Sequence, residues 1–298
     1  MAEPTTVIQD ADASIAARTA AWVVPGLIMA ALALVPLAAA WRLAPDLGHG
    51  WAAPILIAYL WWERRAERPR VSGLAARDGA TPGLWLFLAL ALACALPLRL
   101  LLTPYPLWPM ALLAYLALLA ALALTCAHRL AGWAGVAWLG GPLLILLGAL
   151  PWPGALDRAL ILPLREGLAG VVAEINNLVG RPALASGTSV RMTGGWVGID
   201  EACGGMRSLQ ASITAALFFG EWLRFGPGRR VALLLAAAGA AVLGNFLRVL
   251  ALSWCAGSGP EALERWHDPA GWTALGFSLV LTGVLAWVMR HRAAARLG

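Results

Sequence analysis

Apolar residues run along the chain in blocks long enough to cross a bilayer, separated by short polar stretches. A hydrocarbon core of ~30 Å takes roughly 20 residues of helix. Residues 22–41 supply a first block. Residues 46–62 supply a second, which ends in Tyr59, Trp61 and Trp62, residue types favoured at a membrane interface. Blocks at 82–102, 106–127 and 133–150 follow, and 204–223, 231–254 and 270–289 complete a predicted set of eight. This pattern predicts an all-α polytopic bundle, a single membrane domain over 1–298 with tails 1–21 and 290–298 in the cytoplasm. The first block is read as a retained helix. Ala38-Ala39-Ala40 is only weakly like a cleavage site, and the leader before it carries a single basic residue.

The pattern breaks once, over residues 151–202. Pro151-Trp152-Pro153 stops the fifth block, because proline has no N–H to continue a helix. Leu156, Leu160, Leu164, Leu168, Val171, Ile175 and Leu178 then recur at spacings of three and four, predicting an amphipathic helix over 156–179. It is too polar to span and suited to lying at the interface. Residues 184–200, rich in Gly, Ser, Thr and Val, predict a short strand pair or loop. No internal repeat and no low-complexity tail is present.

Composition supports the bilayer as solvent. Sixty per cent of the residues are apolar and 13% charged, more apolar surface than a soluble fold of this length can hide. The formal charge of +6 points to orientation rather than to a nucleic acid partner. All basic residues are arginine, and they cluster between blocks: Arg64, Arg65, Arg68 and Arg70; Arg224, Arg229 and Arg230; Arg290, Arg292 and Arg296. With the clusters inside, thirteen arginines fall in cytoplasmic segments and seven in outer ones, with Arg207 and Arg248 set apart. The predicted location is an inner membrane, with the long interruption facing the periplasm.

Three polar positions then come to one depth. Counting ~1.5 Å of rise per residue from the cytoplasmic arginines, Cys203 stands ~31 Å from Arg224, Arg248 ~27 Å from Arg230, and His267 ~34 Å from Arg290. All three reach the outer interface from successive segments, so a thiol, a guanidinium and an imidazole can be neighbours. Cys203 opens the sixth block in Glu201-Ala-Cys203-Gly-Gly-Met-Arg207, where a helix N-terminus and a cation favour the thiolate. Arg207, Gln210 and Thr214 continue a polar seam from it. Arg248 stands inside a block with Asn245 one turn below, and a charge there is costly unless it is used. His267 precedes the last block and carries the proton chemistry of imidazole, with Asp268 beside it.

Each position also has a plainer reading. Gly204-Gly205 could simply let helices pack closely beside an inert Cys203. Arg248 could snorkel to headgroups, and an interfacial histidine is usually a polar rim residue. Cys255, on the same outer side, could pair with Cys203 as a disulfide, which a fully active Cys255→Ser variant would exclude. Cys94 and Cys126 read as small core residues. No His or Cys spacing fits a metal ligand set, and no cofactor is expected.

Together these residues resemble the exosortase/archaeosortase family of membrane transpeptidases. Ala202-Cys203-Gly-Gly-Met-Arg207 is similar to that family's A-C-S-G-[IL]-R signature, Asn245-Phe-Leu-Arg248-Val to its N-x-x-R-[IV], and His267 with Gly271 to its H-x-x-x-G. His49-Gly50 and Pro151-x-Pro153 add to the likeness, which covers most of residues 45–275. Two departures stand out: Gly204 replaces the usual Ser, and Glu201 sets a carboxylate two residues from the thiol, which disfavours the thiolate unless Arg207 or Arg248 pairs with it. They mark a divergent subfamily.

The resemblance implies a cysteine transpeptidase acting on secreted proteins with a C-terminal sorting signal. Such a signal has a short motif, often Pro-Glu-Pro, then a transmembrane helix, then an Arg-rich tail. It further implies Cys203 as nucleophile, Arg248 as oxyanion donor and His267 as proton carrier, with Arg207 able to share the oxyanion role. Glu201, Asn245, Gln210 and Asp268 would support the site. An acceptor nucleophile of unknown identity completes the reaction. Two other classes stand against this reading. In a transporter, Arg207, Gln210 and Arg248 would line a polar path, although midplane polar groups and a repeat would then be expected. The other is a non-catalytic assembly factor for polysaccharide export.

Overall fold

The structure, a computed structural model, describes residues 28–69, 82–199 and 205–294. Two compact units divide it, one of residues up to 43 with 58–143, the other of 44–57 with 144 onward.

The first unit holds α1 (Ile28–Leu43), the end of α2 (Ala52–Glu63), α3 (Pro82–Leu101) and α4 (Pro109–Leu143). Tyr115 of α4 donates its hydroxyl to the carbonyl of Leu32 on α1 at 3.2 Å, so the buried phenol meets a partner without water. Trp138 likewise donates to the carbonyl of Arg64 and stacks on Trp61 with ring centroids 6.5 Å apart. The predicted blocks 106–127 and 133–150 lie on one stretch of helix, broken at Ala131–Gly132. There Gly132 takes φ 62°, ψ −153°, a region that residues with a Cβ avoid.

The second unit opens with a 3-10 helix over Pro45–Trp51, which leads into α2. The predicted block 46–62 is therefore two kinds of helix. A further 3-10 stretch, Leu144–Ala149, and a π-helical turn, Asp157–Ile161, precede α5 (Leu162–Leu178). The predicted apolar stripe is real but faces outward: Leu160, Leu164, Val171 and Leu178 are exposed, as suits an interfacial helix. The face turned to the protein is Ile161, Arg165, Ala169, Val172, Ala173 and Asn176.

Residues 183–198 form three antiparallel strands rather than a pair, β1 (Ala183–Ser186), β2 (Ser189–Met192) and β3 (Gly195–Gly198), in that spatial order. Val190, Met192 and Val197 point from this sheet onto α5 and onto the end of α7, where Val249, Leu252 and Ala256 complete a core. Asn176 fastens the same corner, donating to Ser253 Oγ at 2.9 Å.

Helices α6 (Met206–Trp222), α7 (Pro227–Ala256) and α8 (Pro260–Ala294) make the body of this unit. α7 exposes Val231, Leu235, Leu243, Leu247 and Trp254 on one side and buries small residues on the other. That division suits a helix between lipid and protein. A Cβ on Gly244 would stand 2.6 Å from Ser278 Oγ and 3.0 Å from the Ala274 carbonyl, so the α7–α8 approach depends on its absence. α8 begins well before the predicted block 270–289 and carries Pro269 within it. His267 therefore lies on the helix, just ahead of the apolar block.

Among the described residues, three stretches are long and apolar enough to cross a membrane by length and composition: Pro109–Ala149, Pro227–Ala256 and Glu261–His291. α6, with 17 residues and buried Ser208, Gln210, Ser212, Thr214 and Glu221, is shorter and more polar than the predicted block 204–223.

Candidate active site

The polar centre of the second unit lies where α6, α7 and α8 meet. α6 starts from Gly205, which holds φ +74° and accepts the Leu209 amide at 2.8 Å, beginning the helix ladder. This glycine lies directly on Asn245. A Cβ there would be 2.8 Å from Asn245 Cγ and 2.9 Å from its amide nitrogen. Gly205 thus meets two demands at once, left-handed backbone and contact with a buried side chain.

One turn along α7 stands Arg248, three residues from Asn245 and on the same side. Its Nη2 lies 3.4 Å from His267 Nε2 and 3.5 Å from the His267 carbonyl. Gly271 lets the guanidinium lie flat against α8, since a Cβ there would come within 3.2 Å of Nη2. On its other side, His267 Nδ1 is 3.1 Å from Asp268 Oδ1. These contacts fit one tautomer: Nδ1–H donates to Asp268, and the Nε2 lone pair accepts from Arg248. The imidazole is 38% exposed, so this pair is open to a reacting group.

Other residues expected at the site are engaged elsewhere. Arg207 Nη2 lies 3.7 Å from Asp46 Oδ1, tying α6 to the first 3-10 helix. Gln210 is buried and donates to the Leu150 carbonyl at 3.0 Å, while Thr214 donates back to the Gln210 carbonyl at 2.8 Å. Part of the polar seam of α6 is thus turned toward the backbone and toward Asp46. Cys203 and Glu201 lie outside the described residues. Cys94, Cys126 and Cys255 are free thiols. Among the described residues, no group of three or more His, Cys, Asp or Glu side chains is set to hold a metal ion.

A second polar knot was not expected from the sequence. His49 Nδ1 is 3.2 Å from the Asp46 carbonyl and Nε2 is 3.0 Å from the Gly148 carbonyl. Beside it Gly148 packs against Thr214, where any Cβ would collide.

Arg165, unlike His49, is not singled out by the sequence. It lies on the buried face of α5 in a salt bridge with Asp157 at 3.6 Å, its side chain 7% exposed. The signal was present: a charge spaced four residues from Ile161 and from Ala169, on a helix face otherwise built of small and apolar groups.

No curated protein and no solved structure matches the chain. A family model does: the one described as transmembrane exosortase (Exosortase_EpsH) matches residues 40–284, a stretch that contains α6, α7 and α8 as far as residue 284, with the polar groups of the site described above. That family is one of cysteine transpeptidases, and over this span, most of its length, the chain belongs to the transmembrane exosortase family.

Proposed function

We propose that the protein is a membrane transpeptidase that cuts C-terminal sorting signals from secreted proteins and passes them to an acceptor, using Cys203, Arg248 and His267. The observation that carries this reading is the placement of Gly205 on Asn245, one turn of α7 from Arg248, whose guanidinium meets His267 beside Asp268. Gly205 is two residues from Cys203 along the chain. Chain connectivity alone holds the two Cα atoms within about 7.6 Å, two trans-peptide steps.

The chemistry follows from those groups. His267 Nε2 takes the thiol proton, and Cys203 Sγ attacks the carbonyl carbon of the scissile peptide. The oxygen that becomes negative accepts hydrogen bonds from the Arg248 guanidinium, which leaves Nε2 to do so. His267 then gives its proton to the departing amine, the C–N bond breaks, and a thioester remains on Cys203. An acceptor nucleophile gives its own proton to Nε2, attacks the thioester and expels the thiolate. Asp268 holds the ring in the tautomer that this cycle needs.

The proposed setting is an eight-span bundle with cytoplasmic termini and the site at the periplasmic interface. There a substrate helix lies in the bilayer with its scissile motif just above it. Glu201 and Arg207 support the site, the latter by anchoring α6. The test is a secreted reporter ending in Pro-Glu-Pro, an apolar helix and an Arg-rich tail, expressed with the full chain. Wild type shortens the reporter, and Cys203→Ala, accumulating to the same level, leaves it whole. Equal processing by both would overturn the reading.

A further inference from the structure

The three-stranded sheet treats its two edges differently. Between β2 and β3 the Ile199 amide donates to the Thr188 carbonyl at 2.8 Å, and the register runs on through Val190↔Val197 and Met192↔Gly195. Antiparallel strands exchange backbone bonds at every second pair, so these pairs carry the bonds. Trp196 and Gly198 therefore turn their N–H and C=O groups away from β2. The same alternation between β1 and β2 leaves Ala183 and Ala185 facing outward from β1.

The β1 edge is closed. Asn177 of α5 accepts the Ala183 amide on Oδ1 at 2.8 Å and donates Nδ2 to the Ala183 carbonyl at 3.0 Å, as a neighbouring strand would. The β3 edge has no such cover: among the described residues, nothing meets the outward main-chain groups of Trp196 and Gly198. Trp196 is 54% exposed, and Gly198, whose surface is all main chain, is partly open. An open edge is a template for another extended chain, and folds close the edges they do not use.

We infer that the open edge of β3 is the docking strand for the substrate, an extended segment of which joins the sheet as a fourth strand ahead of the scissile bond. This rests on the transpeptidase reading above. Two observations select this occupant. Gly198 is five residues from Cys203 along the chain, which holds their Cα atoms within about 18 Å, the length of five extended residues. A strand on β3 thus lies within about half a dozen residues of the nucleophile. The edge is also short: two residues offer too little contact to join two free proteins, but enough for a partner whose own helix tethers it in the same bilayer.

Main-chain bonds fix direction and register while accepting varied sequence. Leu184, Arg191 and Trp196 form one cross-strand row on the exposed face, with Arg191 Cζ 5.4 Å from the Trp196 ring centroid. Alternate side chains of a fourth strand would extend that row beside the indole.

The test uses the full chain in membranes and semisynthetic reporters, each with one N-methylated amide at a different position in the segment ahead of Pro-Glu-Pro. The methyl group removes one donor and leaves the enzyme untouched. Losses in kcat/KM should alternate: about 3- to 10-fold at two amides two residues apart, the worth of a backbone bond, and less than about 2-fold at the amide between them. Gly198→Pro, which removes an outward N–H and no bond to β2, should raise KM by a similar factor, while Gly198→Ala, which keeps the N–H, should not. If Gly198→Pro does not accumulate, the reporter series decides alone. In Cys203→Ala, Trp196→benzoylphenylalanine should photo-cross-link to the reporter at alternate positions.

Losses that are uniform along the segment, or absent, would overturn the inference. So would cross-linking from position 196 to a second copy of the chain and not to the reporter, since the edge would then join copies. The two levels separate cleanly. Reporter cut by Cys203→Ala ends the transpeptidase reading, whereas cutting that needs Cys203 but shows no alternation ends this inference alone.

Discussion

Two histidines of the second unit show what distinguishes a polar group that holds a fold from one that can do chemistry. His49 has both ring nitrogens set against backbone carbonyls, of Asp46 and Gly148, and is half-buried. Every direction in which it could exchange a proton is already occupied by the protein. His267 has one nitrogen on a carboxylate and the other on a guanidinium, with more than a third of its side chain exposed. Its partners can shift toward a reacting group, since Arg248 contacts it at 3.4 Å and no closer. The arginines divide the same way, Arg207 fixed to Asp46 and Arg248 placed at the open pair.

The sharpest way to break this comparison is to remove each histidine and measure both activity and stability. His267→Ala should lower reporter kcat/KM by about 10²- to 10⁴-fold, the usual worth of a positioned proton carrier, with little change in thermal midpoint. An equal loss from His49→Ala would erase the distinction. Arg248→Gln should follow at about 10²- to 10³-fold, mostly in kcat, as for loss of an oxyanion donor. A loss confined to KM would make Arg248 a binding group instead.

Gly205→Ala should cost less in rate and more in structure. It forces a Cβ into Asn245 and a left-handed backbone on a residue that resists it, about 1–3 kcal/mol together. Unfolding in detergent would report that loss, and Asn245→Ala should recover part of it by opening space. An unchanged midpoint in Gly205→Ala would contradict the packing described.

Much of this was legible in the residues, and the failures have physical causes. Asn245 and Arg248 three residues apart on one apolar helix reported their shared face directly, because helix periodicity converts spacing into direction. The amphipathic helix was found but its protein-facing side was not. Lipid and a protein core both accept Leu and Val, so the stripe of Leu160, Leu164 and Val171 does not say which it meets. Arg165 was missed for the same reason. The start of α8 was not legible because the apolar block begins only at 270, while the helix already runs from Pro260 through polar residues and Pro269. The third strand was hidden by its glycines, Gly195 and Gly198, which weaken a strand pattern. The joins of Asp46 to Arg207 and of His49 to Gly148 link segments about a hundred residues or more apart, and no local pattern carries such information.

The account turns on a covalent step at one sulfur. Incubating the membrane-embedded protein with the Pro-Glu-Pro reporter, quenching in acid and mapping the adduct by mass spectrometry tests it directly. The expected result is a hydroxylamine-sensitive acyl group on the peptide containing Cys203, accumulating when acceptor is withheld and absent in Cys203→Ser. Cleaved reporter with no acyl group on Cys203 at any time, or the adduct on Cys255 instead, would contradict it.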